Sequence, residues 1–185
     1  GTGKTMLANA LAELLPNLSS EEHIEVAALH SAAGLSVTSD NIVMRPPVRS
    51  PHHTATLLSL IGGGNIPRPG EITLAHRGIL FMDEFPEFDR RSLEALRQPL
   101  EDRTVRITRT HGTTSFPAQC MLVAAMNPCP CGYYGSLHKS CRCNDFELRR
   151  YRKKISGPLL DRSDIRLTVE HVEYDRLDGG DPTTI

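Results

Sequence analysis

Two adjacent acidic residues follow a short apolar run, and together they could bind Mg2+ and activate water. The run Ile79–Met82 has the composition of a strand that is buried on both faces of a parallel sheet, and it ends directly in Asp83 and Glu84. Ligands bind at the carboxyl ends of such strands, where the first acid could hold Mg2+ and the second could orient a water molecule. This is the Walker B pattern of nucleotide hydrolases, although any acidic turn after a strand would look the same.

The first residues of the chain could supply the matching phosphate site. The run Gly1-Thr2-Gly3-Lys4-Thr5 reads as the second half of the phosphate-binding loop G-x-x-x-x-G-K-[ST], and an apolar helical pattern follows it. Glycines let backbone N–H groups approach phosphates, the Lys4 amine can reach the β and γ oxygens, and the Thr5 hydroxyl can ligate Mg2+. The predicted nucleotide-binding residues are Gly1, Thr2, Gly3, Lys4, Thr5, Met6 and Asp83, with Thr5 and Asp83 as Mg2+ ligands. The first glycine of the motif and its preceding strand are not in this sequence, so we expect a piece of a longer protein.

An amide follows a second apolar strand. Residues 121–126 are all apolar, and Asn127 comes directly after them. If this strand lies beside the Walker B strand, the Asn127 side chain can hydrogen-bond the attacking water or the γ-phosphate, the role called sensor 1. An isolated asparagine after a strand can also be a simple turn former. The order of the motifs favours the catalytic interpretation.

Four cysteines in two close pairs could bind a metal. Cys129 and Cys131 are followed by Cys141 and Cys143, and four thiolates can hold zinc tetrahedrally. Structural zinc sites usually have wider spacing than C-x-C, so free thiols in a tight loop, zinc ligation and disulfides are all left open. Cys120, the fifth cysteine, fits a small apolar core residue.

The elements between these residues follow from periodicity and capping signals. Residues 3–15 predict a first helix, and residues 19–34 predict a second one with an N-cap near Ser19. Residues 35–70 are rich in proline and glycine and hold only a short apolar helix at about 55–61. This insertion is either a solvated loop or a mobile loop that touches substrate. Its basic residues are Arg45, Arg49, His52, His53 and Arg68.

The second half of the chain begins with a helix that Asp89 caps and that runs through Leu93, Leu96 and Leu100 to about residue 102. Alternating β-branched and basic residues on both sides of a glycine turn then predict a hairpin at 104–116. Its exposed side and tip would carry Arg106, Arg109 and His111, which either protect a sheet edge or contact a ligand.

The last predicted elements are a basic helix and a short strand. The helix starts at Asp145, carries a basic run over residues 149–154, and is stopped by Ser156-Gly157-Pro158. Ile165, Leu167 and Val169 alternate and predict a final strand.

Composition limits the functional classes. The chain has 185 residues, enough for one α/β domain, and 21 basic against 22 acidic residues give a net charge of -1. Any nucleic-acid contact must therefore come from local basic patches. The sequence has no apolar run of about 18 residues and no leader pattern, and its five cysteines are an odd count. We therefore expect a cytoplasmic protein with no membrane partner and with reduced or metal-bound thiols.

Several motifs occur in a fixed order along the chain. They are Gly1 to Thr5, Arg45-Pro46-Pro47, Pro51-His52-His53-Thr54, Gly62-Gly63-Gly64, Pro67-Arg68-Pro69-Gly70-Glu71, Gly78 to Phe88, Asn127-Pro128-Cys129-Pro130-Cys131-Gly132 and Gly157-Pro158-Leu159-Leu160-Asp161-Arg162. Together they resemble the motifs of one family, the magnesium-chelatase-like AAA+ ATPases, in the branch that includes ComM and YifB. The resemblance extends from Gly1 to about Glu173.

The resemblance implies a fold and a set of roles. The fold would be a three-layer α/β P-loop NTPase of the AAA+ class, with an ASCE-type parallel sheet, a helix-two insert at 35–70 and a pre-sensor-1 hairpin at 104–116. ATP would bind with Mg2+ between the subunits of a ring, most simply a hexamer. Glu84 would be the general base, and Arg162 would reach the γ-phosphate of the neighbouring subunit. Related proteins look like DNA branch-migration motors, which makes Arg106, Arg109 and Arg49 candidates for phosphate contact.

The resemblance also implies parts that lie outside this sequence. These are a protease-like N-terminal domain, the first strand of the sheet, and a C-terminal lid. We therefore expect residues 1–173 to be the AAA+ core, residues 174–185 to be a polar tail or linker, and the isolated chain to bind ATP poorly. Two other functions are open, namely a chelatase subunit that drives metal insertion into a porphyrin and a non-catalytic assembly module.

Overall fold

A parallel sheet of three strands organises the protein. The computed structural model describes residues 4–35, 45–110, 112–136 and 139–169, with only the backbone described for residues 4, 5, 8 and 9. The strands are β1 (Val48–Arg49), β4 (Ile79–Met82) and β7 (Met121–Ala124), in the order β1-β4-β7 with both pairs parallel. Asp83, Glu84 and Asn127 thus follow neighbouring strands, as the sequence predicts.

Helices cover the sheet on both faces, which confirms the three-layer α/β class. All four residues of β4 are buried, and they alternate between the two faces. Ile79 and Phe81 pack towards the first helix, α1 (Lys4–Leu14), which contributes Leu11, and towards Leu15 just after it. Leu80 and Met82 belong to the larger core on the opposite face.

The helix α2 (Ser20–Ala32) is capped as its sequence predicts. The Ser19 hydroxyl accepts a hydrogen bond from the Glu22 backbone N–H at 3.2 Å, and the Glu22 carboxylate accepts one from the Ser19 backbone N–H at 2.9 Å. After the helix, Gly34 adopts a positive φ of 81°, which ends the helical path.

The insertion predicted at 35–70 is more ordered than its composition indicates, although residues 36–44 lie outside the described part. Its strand β1 pairs with β4 in the central sheet, which the sequence pattern did not predict. The short predicted helix is present as α3 (Leu57–Ile61). A hairpin of β2 (Gly62–Gly63) and β3 (Arg68–Pro69) then leads into α4 (Glu71–Leu74). A Cβ atom at Gly70 would lie 2.3 Å from the Gly62 nitrogen, so the close approach of these backbones requires glycine.

The cap predicted at Asp89 and the helix end predicted near residue 102 are confirmed, but the single continuous helix predicted between them is wrong, because the structure has two. A 3-10 turn (Phe85–Glu87) precedes α5 (Arg90–Ala95), and α6 (Arg97–Asp102) follows. Pro99 lacks a backbone N–H, and its ring would collide with the carbonyl of Ala95 in a continuous helix, so the chain bends at Leu96.

The predicted hairpin is confirmed as β5 (Thr104–Arg109) and β6 (Gly112–Pro117), with Val105 opposite Phe116. The hairpin's Val105 and Ile107 are buried, whereas Arg106 and Arg109 are exposed. The predicted tip residue His111 lies outside the described residues.

Near the end of the chain, the predicted helix is confirmed and the predicted strand is not. The basic helix is α7 (Asp145–Arg152), and α8 (Gly157–Leu160) follows it. The predicted strand at Ile165, Leu167 and Val169 is wrong, because residues 164–169 form no helix or strand and these three side chains are 40% to 85% exposed. Residues 170–185 are outside the described part. Among the described helices, none has the length and hydropathy to cross a membrane.

Candidate active site

Backbone hydrogen bonds between β4 and β7 bring the polar residues after these strands to the same sheet edge. Met82 pairs with Ala124, and the pairing continues past the strands, since the Ala125 N–H donates to the Met82 carbonyl at 2.9 Å. The Phe85 N–H in turn donates to the Ala125 carbonyl at 2.9 Å. Ala125, in the loop that leads to Asn127, is thus hydrogen-bonded to both Met82 and Phe85. Asp83 and Glu84 lie between these two residues and turn next to that loop.

Glu84 has an unusual backbone conformation. It lies in the left-handed region with φ of 50° and ψ of 41°, which is uncommon for a residue with a side chain. Its backbone N–H donates to the Asp83 carboxylate at 2.8 Å. The two acids also differ in burial, since Asp83 is half-buried while Glu84 is exposed.

The Glu84 carboxylate has a partner that the sequence pattern does not reveal. The His53 Nδ1 atom lies 2.9 Å from Glu84 Oε2. The His53 ring also packs against His52, with the ring centroids 4.1 Å apart, and His52 Nδ1 lies 2.8 Å from the Thr54 hydroxyl. From the sequence, both histidines are predicted only as basic residues of the insertion. The spacing of residues in the sequence gives no signal for the contact between His53 and Glu84. The contact arises because β1 lies beside β4 in the sheet, so that the residues after the two strands are close.

Asn127 is exposed at the same edge, and its backbone is held by a hydrogen bond from a neighbouring helix. The buried Tyr151 of α7 forms a hydrogen bond to the Asn127 backbone. Burial raises the pKa of the Tyr151 hydroxyl, whereas this hydrogen bond acts in the opposite direction. The described contacts thus tie the loop that bears Asn127 to α7.

The predicted phosphate loop is only partly described. Gly1, Thr2 and Gly3 lie outside the described residues, and Lys4 and Thr5 form the first turn of α1, with their side chains outside the description. Met6 is 76% exposed. The role of these residues in nucleotide binding stays a prediction. The oxygen donors of Asp83 and Thr5 are of the hard type that suits Mg2+.

The described contacts of Arg162 do not include the two acids. Among the described residues, its guanidinium contacts the Glu101 carboxylate at 2.5 Å and the Pro158 carbonyl at 2.7 Å. Its side chain is 33% exposed. The structure does not bring Arg162 to Asp83 or Glu84 of its own chain.

The basic residues proposed for phosphate contact differ in their partners. Arg49 forms a two-pronged ion pair with Glu71, at 2.6 and 2.9 Å, so its charge is already neutralised within the fold. A phosphate contact by Arg49 would require this pair to open, and its role stays a prediction. Arg109 donates only to backbone carbonyls in the described contacts, including that of Gly64 at 3.1 Å, which links the two hairpins.

The four paired cysteines converge, although they come from two separate stretches of chain. Their Sγ atoms all lie within 4.8 Å of one another, and all five cysteines are free thiols. Backbone hydrogen bonds from Arg142 and Tyr133 lower the pKa of the Cys131 thiol to about 6. Burial raises the pKa of the Cys120 thiol to about 12, as expected for a cysteine packed against the core.

Comparison with known proteins identifies a family along almost the whole chain. The family model for "Magnesium chelatase, subunit ChlI" matches residues 1–177. Two similar relatives are the uncharacterized protein YifB of Escherichia coli, at 49% identity, and the competence protein ComM of Haemophilus influenzae, at 48%. Each alignment covers 91% of this chain but 33% of the relative, so the chain spans about a third of their length.

A solved structure supports the same fold. The chain resembles one from a model of the complex between subunits BchI and BchD of magnesium chelatase, with a TM-score of 0.53 at 22% identity. The match covers 87% of this chain and 59% of that one. At this identity the likeness concerns the fold.

Proposed function

The chain belongs to the magnesium chelatase family, and from this premise we infer that it is the ATP-hydrolysing core of an AAA+ motor that acts on DNA. The carrying observation is the parallel pairing of β4 and β7, which places Asp83, Glu84 and the loop of Asn127 at one sheet edge. An acid pair and an amide at the carboxyl ends of adjacent strands are what hydrolysis of a nucleotide by water requires.

The residues at this edge divide the chemistry. Lys4 and the backbone N–H groups of Gly1 to Gly3 would bind the phosphates at the start of α1. Mg2+, held by Thr5 and Asp83, would neutralise charge on the phosphate oxygens. Glu84 would take a proton from the attacking water, and the Asn127 amide would orient that water.

The contact with His53 bears on this mechanism. Glu84 Oε2 is 2.9 Å from His53 Nδ1, so this oxygen faces the loop after β1. To accept a proton from water at the phosphate, the carboxylate must turn or use its other oxygen. The exposed position of Glu84 leaves room for that rotation.

We propose a ring of subunits, most simply a hexamer, with ATP at the subunit boundary. A residue that stabilises charge on a neighbour's phosphate must be accessible and must lie away from the acids of its own chain. Arg162 is partly exposed, its described contacts do not include Asp83 or Glu84, and it would leave Glu101 to reach the phosphate of a neighbour. The solved structure that this chain resembles likewise belongs to a complex of subunits.

The proposed DNA contact lies on the β5–β6 hairpin. Arg106 and Arg109 are exposed there and have no carboxylate partner in the contacts of the described residues. Since the net charge of the chain is only -1, DNA affinity must come from such a local patch. The relative named for competence supports a role with DNA, and ATP use together with five free thiols fits a cytoplasmic setting.

The family name favours a second candidate, a chelatase-type subunit that drives metal insertion into a porphyrin. Both candidates share ATP hydrolysis and differ in what stimulates it. A stimulation assay therefore separates them.

The test is ATP hydrolysis by the full-length protein, alone and with single-stranded DNA, forked DNA or a porphyrin. We expect DNA to stimulate turnover and Glu84→Gln to lower it by about 10^2-fold or more. Glu87→Gln, three residues away and paired with Lys154, is the matched control and should keep its turnover. Stimulation by porphyrin alone would support the chelatase, and unchanged turnover in Glu84→Gln would refute the proposed base.

A direct binding assay tests the hairpin. Arg106→Ala should weaken DNA binding and reduce the slope of log affinity against log salt by about 1, because one phosphate contact is lost. The exposed Arg91 on α5 provides the control Arg91→Ala. Equal losses in both variants would count against the hairpin as the DNA-contacting element.

A further inference from the structure

The cysteine cluster, defined as Cys129, Cys131, Cys141 and Cys143, lies outside the proposed catalytic mechanism. The sulfur of Cys129 is 3.3 Å from that of Cys131 and 3.7 Å from that of Cys141, and the Cys131 and Cys141 sulfurs are 3.6 Å apart. The fourth sulfur lies within 4.8 Å of these three. The sulfurs of two C-x-C pairs from different parts of the loop are thus close enough to share one metal ion.

The three separations of 3.3 to 3.7 Å are close to the edge length of a metal tetrahedron. Zn–S bonds of ~2.3 Å at the tetrahedral angle place the sulfurs about 3.8 Å apart. A disulfide would need one sulfur pair at about 2.0 Å and would leave no reason for all four to converge. From this match we propose that the cysteine cluster is a structural Zn2+ site with four thiolate ligands.

The surroundings are suited to thiolates. The Tyr134 backbone N–H donates to the Cys129 sulfur at 3.3 Å, and Cys129 itself is fully buried. Four thiolates and one Zn2+ leave excess negative charge, and basic residues lie near the loop. Arg142 lies between two of the ligands in the sequence, and the guanidinium of Arg152 lies 5.2 Å from the Tyr134 ring centroid.

The donor set favours zinc and a structural role. Four sulfurs in a tetrahedron suit zinc or an iron–sulfur centre, whereas hard cations such as Mg2+ and Ca2+ prefer oxygen. A mononuclear site fits the short sulfur separations of 3.3 to 3.7 Å, because several irons and inorganic sulfides would hold the cysteines further apart. With all four positions filled by protein there is no open position for substrate, so the metal supports the fold.

The position of the site shows what it would hold in place. Asn127 lies two residues before the first ligand, and Asn144, the N-cap of α7, directly follows the last one. The metal would therefore fasten the loop of Asn127 to the start of α7, while Tyr151 fastens it further along the same helix. This inference does not depend on ATP hydrolysis or on DNA binding.

The test is the metal content of the full-length protein, purified without added metal and measured by mass spectrometry of the elements. We expect about one zinc per chain, and a loss of at least about tenfold in zinc affinity in Cys143→Ser. Cys120→Ser removes a thiol of this chain that lies outside the cluster and is the matched control. It should keep the full zinc content.

A second measurement needs no variant, in case Cys143→Ser does not fold. Titration of the unmodified protein with a mercurial thiol reagent should release its zinc in proportion to the modification of four thiols, and Cys120 should react separately. A zinc content well below one per chain, iron in its place, or zinc release without thiol modification would overturn the proposal. Because zinc is the readout, an inactive ATPase would not affect the result.

Discussion

The two strands on either side of β4 anchor their loops by different kinds of contact. On the β1 flank, defined as residues 45–56, side chains make the connections, with Arg49 bound to Glu71 and His53 beside Glu84. On the β7 flank, defined as residues 118–144, backbone hydrogen bonds to β4 continue past the strand, and the cysteine cluster follows. The loop after β1 therefore reaches Glu84 through one side chain, whereas the loop that bears Asn127 is connected by backbone hydrogen bonds.

This difference suggests that the two loops have different roles at the proposed active site. A carboxylate that must move a proton can be regulated by a single side-chain partner, because one contact can break while the fold stays intact. An amide that must orient water needs a rigid backbone, since small displacements of a positioning group reduce the rate strongly. The following predictions test this difference in roles, from the largest expected effect to the smallest.

Removing the Asn127 amide should have the largest effect. We expect Asn127→Ala to lower ATP turnover by about 10^2-fold, the size seen when one preorganised polar contact is lost from a transition state. The melting temperature should stay unchanged, because the Asn127 side chain is exposed. Turnover and thermal unfolding of the full-length protein check both. Asn17→Ala, which changes another exposed asparagine, is the control and should keep its turnover. Near-normal turnover in Asn127→Ala would contradict the proposed role of Asn127.

Breaking the ion pair of the β1 flank should lower stability. Glu71→Gln leaves the half-buried Arg49 guanidinium without its carboxylate, and we expect the free energy of unfolding to fall by about 1–3 kcal/mol. In Glu87→Gln, the control, a more exposed pair with Lys154 is lost, and the change should be below about 1 kcal/mol. Denaturant unfolding measures both variants. Equal changes would show that the β1 flank does not depend on this pair.

Removing His53 should change the rate rather than the stability. We expect His53→Ala to raise turnover without DNA by about threefold to tenfold, since the Glu84 carboxylate no longer faces the β1 flank. His52→Ala is the matched control, because the His52 ring contacts Thr54 and the His53 ring but not Glu84 in the described contacts. Steady-state ATP hydrolysis distinguishes them. A lower rate in His53→Ala would mean that His53 positions Glu84 for catalysis and does not restrain it.

Low pH should lower the free energy of unfolding through a contact of His76 with Gln119, at the amino end of the β7 flank. The buried His76 accepts a hydrogen bond from the Gln119 N–H at 3.1 Å, and burial lowers its pKa below the ordinary value of about 6.5. Its other charged neighbours are Glu25, Arg77 and Glu22. The unfolded state then binds the proton more readily, so stability is complete above pH 6.5 and falls as the pH decreases towards the lowered pKa.

The expected loss is at most about 1.4 kcal/mol per pH unit in that range. Denaturant unfolding between pH 5 and 7.5 measures it, and His76→Gln, which cannot take up a proton there, should show a flatter dependence. An identical slope in both proteins would assign the pH dependence to other groups.

Much of the sheet edge could be predicted from the sequence. Four features depend on nearby residues or on motif order. They are the burial of β4, its pairing with the strand before Asn127, the cap of α2 and the β5–β6 hairpin. The division of the helix at Leu96 was also readable, because Pro99 is a local signal. The final strand was wrong for a different reason. Alternation at Ile165 to Val169 predicts a strand only if another strand lies beside it, and the described residues provide none there.

By itself, the sequence determined which residues have the chemistry for this edge, namely an acid pair, an amide and paired thiols, and which strands carry them. These features follow from side-chain type and from periodicities of a few residues. Only the tertiary structure decided that His53 meets Glu84, that Glu71 neutralises Arg49, and that four sulfurs share one point. Such contacts depend on the path of the chain between distant residues, and that path is set by how the helices and hairpins pack on the sheet.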